Sequence, residues 1–298
     1  MSASASPPGP APESPIARAR RAAASQGIPA AAAMVIQVTT LMPMRTVTNY
    51  QYRTGVSLPV AYRTLRADGF RRFYAGYSAA IFQAPLSRLG DTAANAATFA
   101  LLDSSAATAD LPIPVKTAAA SAAAAAFRIA LMPIDAVKTT LQAHGSATGL
   151  AILRDKLRAA GTPAPLFHGA LGASAATLVG HYPWFLTFNS LTAHFPAHPD
   201  ESRATTLGRA AVIGFTASAV SDTTANALRV VKTVRQTSAV PQSYPAIVRK
   251  ILAEQGLARG LFGRGLPTRI ATNGIQGLMF SVLWRIGQDA WNGPTPKN

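Results

Sequence analysis

The run from Met132 to Gln142 sets Pro133, Asp135, Lys138 and Gln142 in the pattern P-x-D-x-x-K-x-x-x-Q at the end of a long, alanine-rich, apolar segment. The pattern recurs with a period of about 90 residues: Pro43, Arg45 and Thr48 hold the same offsets before it, and Ala227, Arg229, Lys232 and Gln236 hold them after it. A second landmark follows each copy roughly 30 residues on. It reads Asp68-Gly69 leading to Tyr74, Ala75 and Gly76, then Gly161 leading to Phe167, His168 and Gly169, then Glu254 and Gly256 leading to Phe262, Arg264 and Gly265. A chain written three times folds as three copies of one unit, and two of the copies have drifted.

Composition narrows what the unit can be. Hydrophobic residues make up 49% and charged residues 13%, with a mean hydropathy of +0.18. That is too polar for a bundle filled by lipid-like side chains and too poor in charge for an ordinary soluble domain. Helices around a water-filled cavity reconcile the two, and a soluble helical solenoid is the alternative. Six segments, 29–50, 77–102, 115–142, 170–194, 207–236 and 266–290, exceed the ~20 residues that a bilayer crossing needs. Small residues such as Gly169, Gly172 and Gly180 favour close helix contact.

Nucleic acid is excluded as a partner, despite a formal charge of +16, because the basic residues are dispersed and lack interleaved aromatics; an anionic membrane surface fits better. With no cysteine, neither a disulfide frame nor a thiolate metal site is available. His194 and His198 are separated by Pro196, which breaks the helix that would align them as metal ligands. Gly260, Gly263 and Gly265 imitate a nucleotide fingerprint without its strand. No nucleophile–base pair appears, so no enzyme, metal or cofactor is expected. Residues 1–28, rich in Ser, Ala and Pro, are read as disordered or as a targeting segment.

Six crossings leave the long connections on one side with Arg53, Arg63, Arg66, Arg71, Arg72, Arg154, Lys156, Arg158, Arg249, Lys250 and Arg259. The short loops opposite carry Asp103, Asp110, Asp200 and Glu201 against Lys116 and Arg203. Each long connection holds an amphipathic stretch, such as Ile247, Ile251 and Leu252 beside Arg249 and Lys250, expected to lie along the interface. A proline late in each odd-numbered helix is expected to kink it, so that three helices converge beneath a cavity. Within the segments, Gln83, Ser87, Asp91 and Asn95 share one helical face, with Arg88 beside them. Ser218, Asp222 and Asn226 repeat the device, and Arg269, Thr272, Asn273 and Gln276 supply a third set, joined by Arg128 and His181. Such residues line an aqueous hollow, either as substrate contacts or as a fixed polar network that holds the helices in register.

Taken together, these motifs resemble the mitochondrial carrier family, whose signature is P-x-[DE]-x-x-[KR] followed by [DE]-G, an aromatic, a basic residue and Gly. The likeness implies an all-α membrane protein: three tandem helix-hairpin repeats (29–106, 107–200 and 201–292) forming a six-transmembrane-helix carrier bundle with short interfacial helices. It places the long loops in the mitochondrial matrix. It also implies a matrix gate at Arg45, Asp135, Lys138, Gln142, Arg229, Lys232 and Gln236, with Lys232 the expected partner of Asp135.

Arg45 and Arg229 stand where the family has acids, so they either oppose one another across the bundle or turn out to headgroups. The gate at the other end is eroded too, its nearest matches being Asn95-Ala96, Phe188-Asn189 and Trp284-Arg285. Family substrate contacts fall near Gln83, near Ala176 and Thr177, and near Thr272. Gly76, Gly169 and Gly265, with Arg264, correspond to cardiolipin sites, or serve as backbone turns. The function implied is a solute transporter of the mitochondrial inner membrane moving a small metabolite by alternating access through a central cavity. A transport-inactive, carrier-like subunit of a membrane complex is the alternative.

Overall fold

Proline positions punctuate the chain into helices. Pro59, Pro114, Pro133 and Pro245 each sit in the first turn of a helix, where the missing N–H has no bond to make. Ser202 caps one more start and Ser243 the start that Pro245 opens, by accepting from the amides of Thr205 and Ala246. The computed structural model describes residues 15–104, 106–196 and 201–292. Side chains before Met34, and those of some later residues including Arg88, Asp91, Asn95, Trp284 and Arg285, lie outside that description.

Helices α1 (Pro15–Thr54), α2 (Leu58–Ala67) and α3 (Tyr77–Ser104) form the first copy, with a 3-10 turn at Phe70–Tyr74. The second comprises α4 (Ile113–Ala130), α5 (Met132–His144), α6 (Ser146–Ala160) and α7 (Ala170–His194), with a turn at Ala164–Phe167. The third comprises α8 (Arg203–Thr237), α9 (Tyr244–Gln255) and α10 (Leu266–Asn292), with a π-helical turn at Gly256–Phe262. The fold is all-α, with no strand among the described residues.

Long helices close a ring, because α1 packs on α3, α3 on α4 and α5, α4 on α7, α7 on α8, α8 on α10, and α10 back on α1. Inside the ring α1, α5 and α8 also touch pairwise, which is the convergence expected of the odd helices. Its cause differs from the expectation. Only α4 and α5 are broken, at Leu131, by a bend of 66°; Pro133 removes an amide and crowds the preceding turn. Helix α1 runs through Pro43, and α8, with Ala227 at that offset, is continuous.

Residues 15–28, expected as a disordered or targeting segment, are described as the start of α1, an alanine-rich stretch of high helix propensity with Pro15 at its first position; residues 1–14 lie outside the described residues. The amphipathic helices bury part of their apolar faces within the bundle and leave Leu58, Val60 and Leu252 exposed. In α2, Ala61 and Leu65 are buried against Val47 and Phe73. In α9, Ile247 and Ile251 are buried against Tyr52, Val230 and Leu261, each such side chain contributing about 1.5–3 kcal/mol. Arg249 and Lys250 are on the exposed side of α9.

Helix lengths of 40, 28, 25 and 35 residues in α1, α3, α7 and α8 exceed the requirement for a crossing. Even so, no single described helix is both long and apolar enough to cross a membrane, while the bent pair Val115–Ala130 and Met132–His144 is. Mean apolarity is lowered where a helix turns a polar face to the centre. Phe82, Leu89, Leu171, Leu186, Val212 and Leu278 are exposed away from that centre.

A cyclic set of contacts locks the copies together. A Cβ on Gly76 would meet the Lys138 carbonyl at 2.9 Å, one on Gly169 the Gln236 side chain at 2.8 Å, and one on Gly265 the Tyr52 ring at 2.9 Å. Each glycine therefore rests on the odd helix of the following copy, the third on the first. The helix ends are latched in the same sense. Arg72 donates to the carbonyls of Gln142 and Ala143 at 2.9 and 3.0 Å, and Lys156 to that of Gln236 at 2.8 Å. Gln255, itself held by Arg264 at 2.9 Å, donates to the carbonyl of Gly55 at 3.1 Å. Cations here satisfy the orphan carbonyls at helix C-termini and oppose their negative pole.

Candidate functional site

The ring encloses a cavity of about 430 Å³, walled by residues of α1, α3, α4, α5, α7, α8 and α10. Among the described residues six cations line it, namely Arg45, Arg128, Lys138, Arg229, Lys232 and Arg269, against one lining acid, Asp135. Gln83, Ser87, Thr177, His181, Thr272, Asn273 and Gln276 add neutral polar surface.

Asp135 follows the break at Leu131, so its side chain is delivered into the convergence of the odd helices. Its Oδ1 accepts from Lys138 Nζ at 2.8 Å, and its Oδ2 from Lys232 Nζ at 2.5 Å and Gln236 Nε2 at 3.2 Å. Lys138 also donates to Gln83 Oε1 at 3.0 Å. Taking this carboxylate out of water costs several kcal/mol, which two ammonium partners and an amide offset.

At least one bond between polar side chains joins each pair of odd helices. Lys232 and Asp135 tie α8 to α5; Asn49 donates to Gln142 Oε1 at 2.5 Å and ties α1 to α5; the Tyr52 hydroxyl donates to Asn226 Oδ1 at 3.1 Å and ties α1 to α8. Only the first is an ion pair. The neutral two contribute about 0.5–1.5 kcal/mol each, so the floor is held more lightly than three ion pairs would hold it.

The second acid is sealed. Asp222, 3% exposed, accepts from Arg269 Nε at 2.7 Å, pairs with Arg229 Nη1 at 3.1 Å, and accepts a short bond from Asn273. Expected as a substrate contact, it stands behind the cavity wall rather than among the lining residues. Arg229 and Arg45 likewise depart from both expected arrangements. Arg229 takes Asp222, two turns earlier on its own helix, and Arg45 donates to Gln276 Oε1 at 2.7 Å on α10. Like charge is kept apart by a carboxylate on one side and an amide on the other.

No protein-family model matches the chain, and no curated protein matches it.

Of the expected substrate residues, Gln83, Arg128, His181, Arg269, Thr272 and Gln276 line the cavity. His181 Nδ1 lies 3.2 Å from Ser121 Oγ. The side chains of Arg88 and Asp91 are outside the described residues. Of the gate set, Gln236 and Gln142 are deeply buried beside Asp135 and Asn49.

Gly76, Gly169 and Gly265 have positive φ and serve close packing, and Arg264, 5% exposed, is spent on Gln255 and on Glu254 at 3.6 Å. Arg264 thereby acts as a strut between its own loop and Gln255. Lys156, counted among the charges of the long connections, is buried as well, its ammonium on the Gln236 carbonyl. At the other end, Lys116 and Asp103 pair at 2.5 Å, joining α4 to α3, and Phe188 stacks on Trp184 at 4.9 Å.

Tyr52 and Asn49 escaped the sequence reading. Tyr52 stands nine residues after Pro43, the offset that Gln142 and Gln236 occupy in the other copies; an aromatic where the others have glutamine hid the equivalence.

Proposed function

We propose that this chain is a solute carrier of the mitochondrial carrier type, moving a small metabolite across the mitochondrial inner membrane by alternating access. The observation that carries the reading is a charged cavity enclosed by a ring of long helices whose outward side chains include exposed Phe, Leu and Val. Charges at membrane depth are costly, so they mark a wet path or a paired network, and both occur here. The threefold order of elements makes opening a symmetric event: α1, α5 and α8 part at the floor by breaking the Asp135–Lys232, Asn49–Gln142 and Tyr52–Asn226 contacts. Lipid, cardiolipin above all, is the proposed environment of the outer faces.

The test is exchange in vesicles containing cardiolipin. Purified protein should exchange at least one metabolite across the bilayer, and Lys138→Gln, whose ammonium lines the cavity, should lower the rate at least tenfold. A broad panel with no uptake refutes the reading.

A second reading, a transport-inactive subunit of a membrane complex, is favoured by the sealing of Asp222 beneath three donors. Co-purification in a larger membrane assembly, together with absent uptake, would select it.

A further inference from the structure

The cavity's charge does not balance. Six cations line it, Asp135 lines it, and Asp222 lies directly behind it, which leaves four positive charges in excess among the described residues. Two of the four arise because Arg45 and Arg229 occupy the motif offset at which Asp135 stands in the middle copy.

The surplus is concentrated along one row. Arg269 lies within electrostatic reach of both Arg45 and Arg229, and Arg128 within reach of Arg229. Arg45's hydrogen-bond partner is the neutral Gln276. Arg269 uses Nε on Asp222, and Arg229 uses Nη1, which leaves each with further donors of its five N–H groups. A guanidinium row with unspent donors in a narrow, poorly solvated hollow attracts bidentate oxyanions. Asp222 offsets part of the repulsion within this group, and a ligand that brings more than one negative charge offsets the rest better than a monoanion does. Tyr52 is the one aromatic carbocycle in the lining among the described residues, and its hydroxyl is tied to Asn226, so there is no ring pair to sandwich a base.

We propose that the cavity's ligand is a small dianion, a dicarboxylate or a phosphomonoester, held by the arginine row Arg45, Arg269, Arg229 and Arg128 with Gln276 and Asn273 as neutral partners. The proposal rests on the carrier reading and names the substrate class for that same cavity. The bound anion supplies the charge that the middle copy supplies with Asp135, so closure of the floor is coupled to occupancy.

Binding is tested by calorimetry on the full-length protein in lipid discs, with succinate, glycerol phosphate and inorganic phosphate as dianion probes. Acetate, glycine and putrescine serve as monoanion, zwitterion and dication. At least one dianion should bind about tenfold or more tightly than acetate, with an affinity that falls as salt rises. Arg45→Gln should weaken it about tenfold at an unchanged melting temperature, and Arg45→Lys should restore part of the loss. Where Arg229→Gln fails to fold because Asp222 loses one of its two cations, Arg229→Gln with Asp222→Asn removes the charge in balance and should weaken binding in the same way.

The succinate and glycerol phosphate arms separate the two oxyanion chemistries. Dianions binding no better than acetate, in a protein that still exchanges glycine or another probe across vesicles, overturn the proposal and leave the carrier reading standing. Binding of a dianion untouched by Arg45→Gln overturns the assignment to the arginine row. Neither binding nor exchange of any probe overturns both.

Discussion

Lys232 Nζ stands 2.5 Å from Oδ2 of Asp135, across the seam between the second and third copies. The contact has the two ends of one motif, offset two in one copy and offset five in the next, close on each other. Asp135→Asn leaves Lys138 and Lys232 facing one another without a counter-ion in a buried site. The expected cost is about 3–5 kcal/mol, read as a lowered thermal midpoint in detergent. A midpoint within experimental error of the parent would show that the pair is not what holds the floor.

Arg72 should be an anchor rather than a loop charge. It is 9% exposed and bridges the last carbonyls of α5 by two bonds, so Arg72→Ala should cost about 2–3 kcal/mol of stability. Its neighbour Arg71 is exposed, and Arg71→Ala should cost less than about 0.5 kcal/mol. Equal losses for the two would refute the latch.

Gly169 adopts φ 99°, and an added Cβ would lie 2.8 Å from the Gln236 side chain. Gly169→Ala should destabilise by about 1–3 kcal/mol through backbone strain and the clash together. Gly214→Ala in α8, where a Cβ meets nothing within 4 Å, should be neutral or slightly stabilising. The two thermal midpoints, compared side by side, check the claim.

Alkaline and acidic limbs of stability have separate sources in the latches. Burial lowers the Lys156 ammonium from 10.5 to about 8, so between those values the unfolded chain binds more protons and stability rises with pH through that window. Burial lowers His144 from 6.5 to about 4 against the bond it makes to the Thr237 carbonyl, and nearby Arg53, Lys156 and Arg72 lower it further. Stability from His144 is therefore complete above 6.5 and is lost as pH falls toward 4. His144→Gln should flatten the acid limb and Lys156→Met the alkaline one, each measured as thermal midpoint against pH.

Much of this fold was legible because its signals are local and repeated. Gly76, Gly169 and Gly265 recur at one offset because one backbone turn recurs, and Asp135 with Lys232 follows from reading the motif across copies. Arg229 with Asp222 is a contact at seven residues' spacing on one helix, readable from periodicity but masked by the expectation that motif arginines face one another.

Arg45 with Gln276 joins the first long helix to the last, and no local pattern encodes such a bond. The apolar face of α9 was visible in Ile247 and Ile251, but what covers it was not. Amphipathicity fixes that a face is buried, and only the tertiary arrangement decides against what.

The latches run from each copy to the next, and the last returns to the first: Gln255 holds Gly55, made 200 residues before it, and Gly265 rests on Thr48 and Tyr52. A nascent chain that has completed two copies therefore still exposes the end of α1 and the flank of α7 on which α8 will pack. Stability should arrive in a single late step, when α10 closes the circle, rather than in thirds.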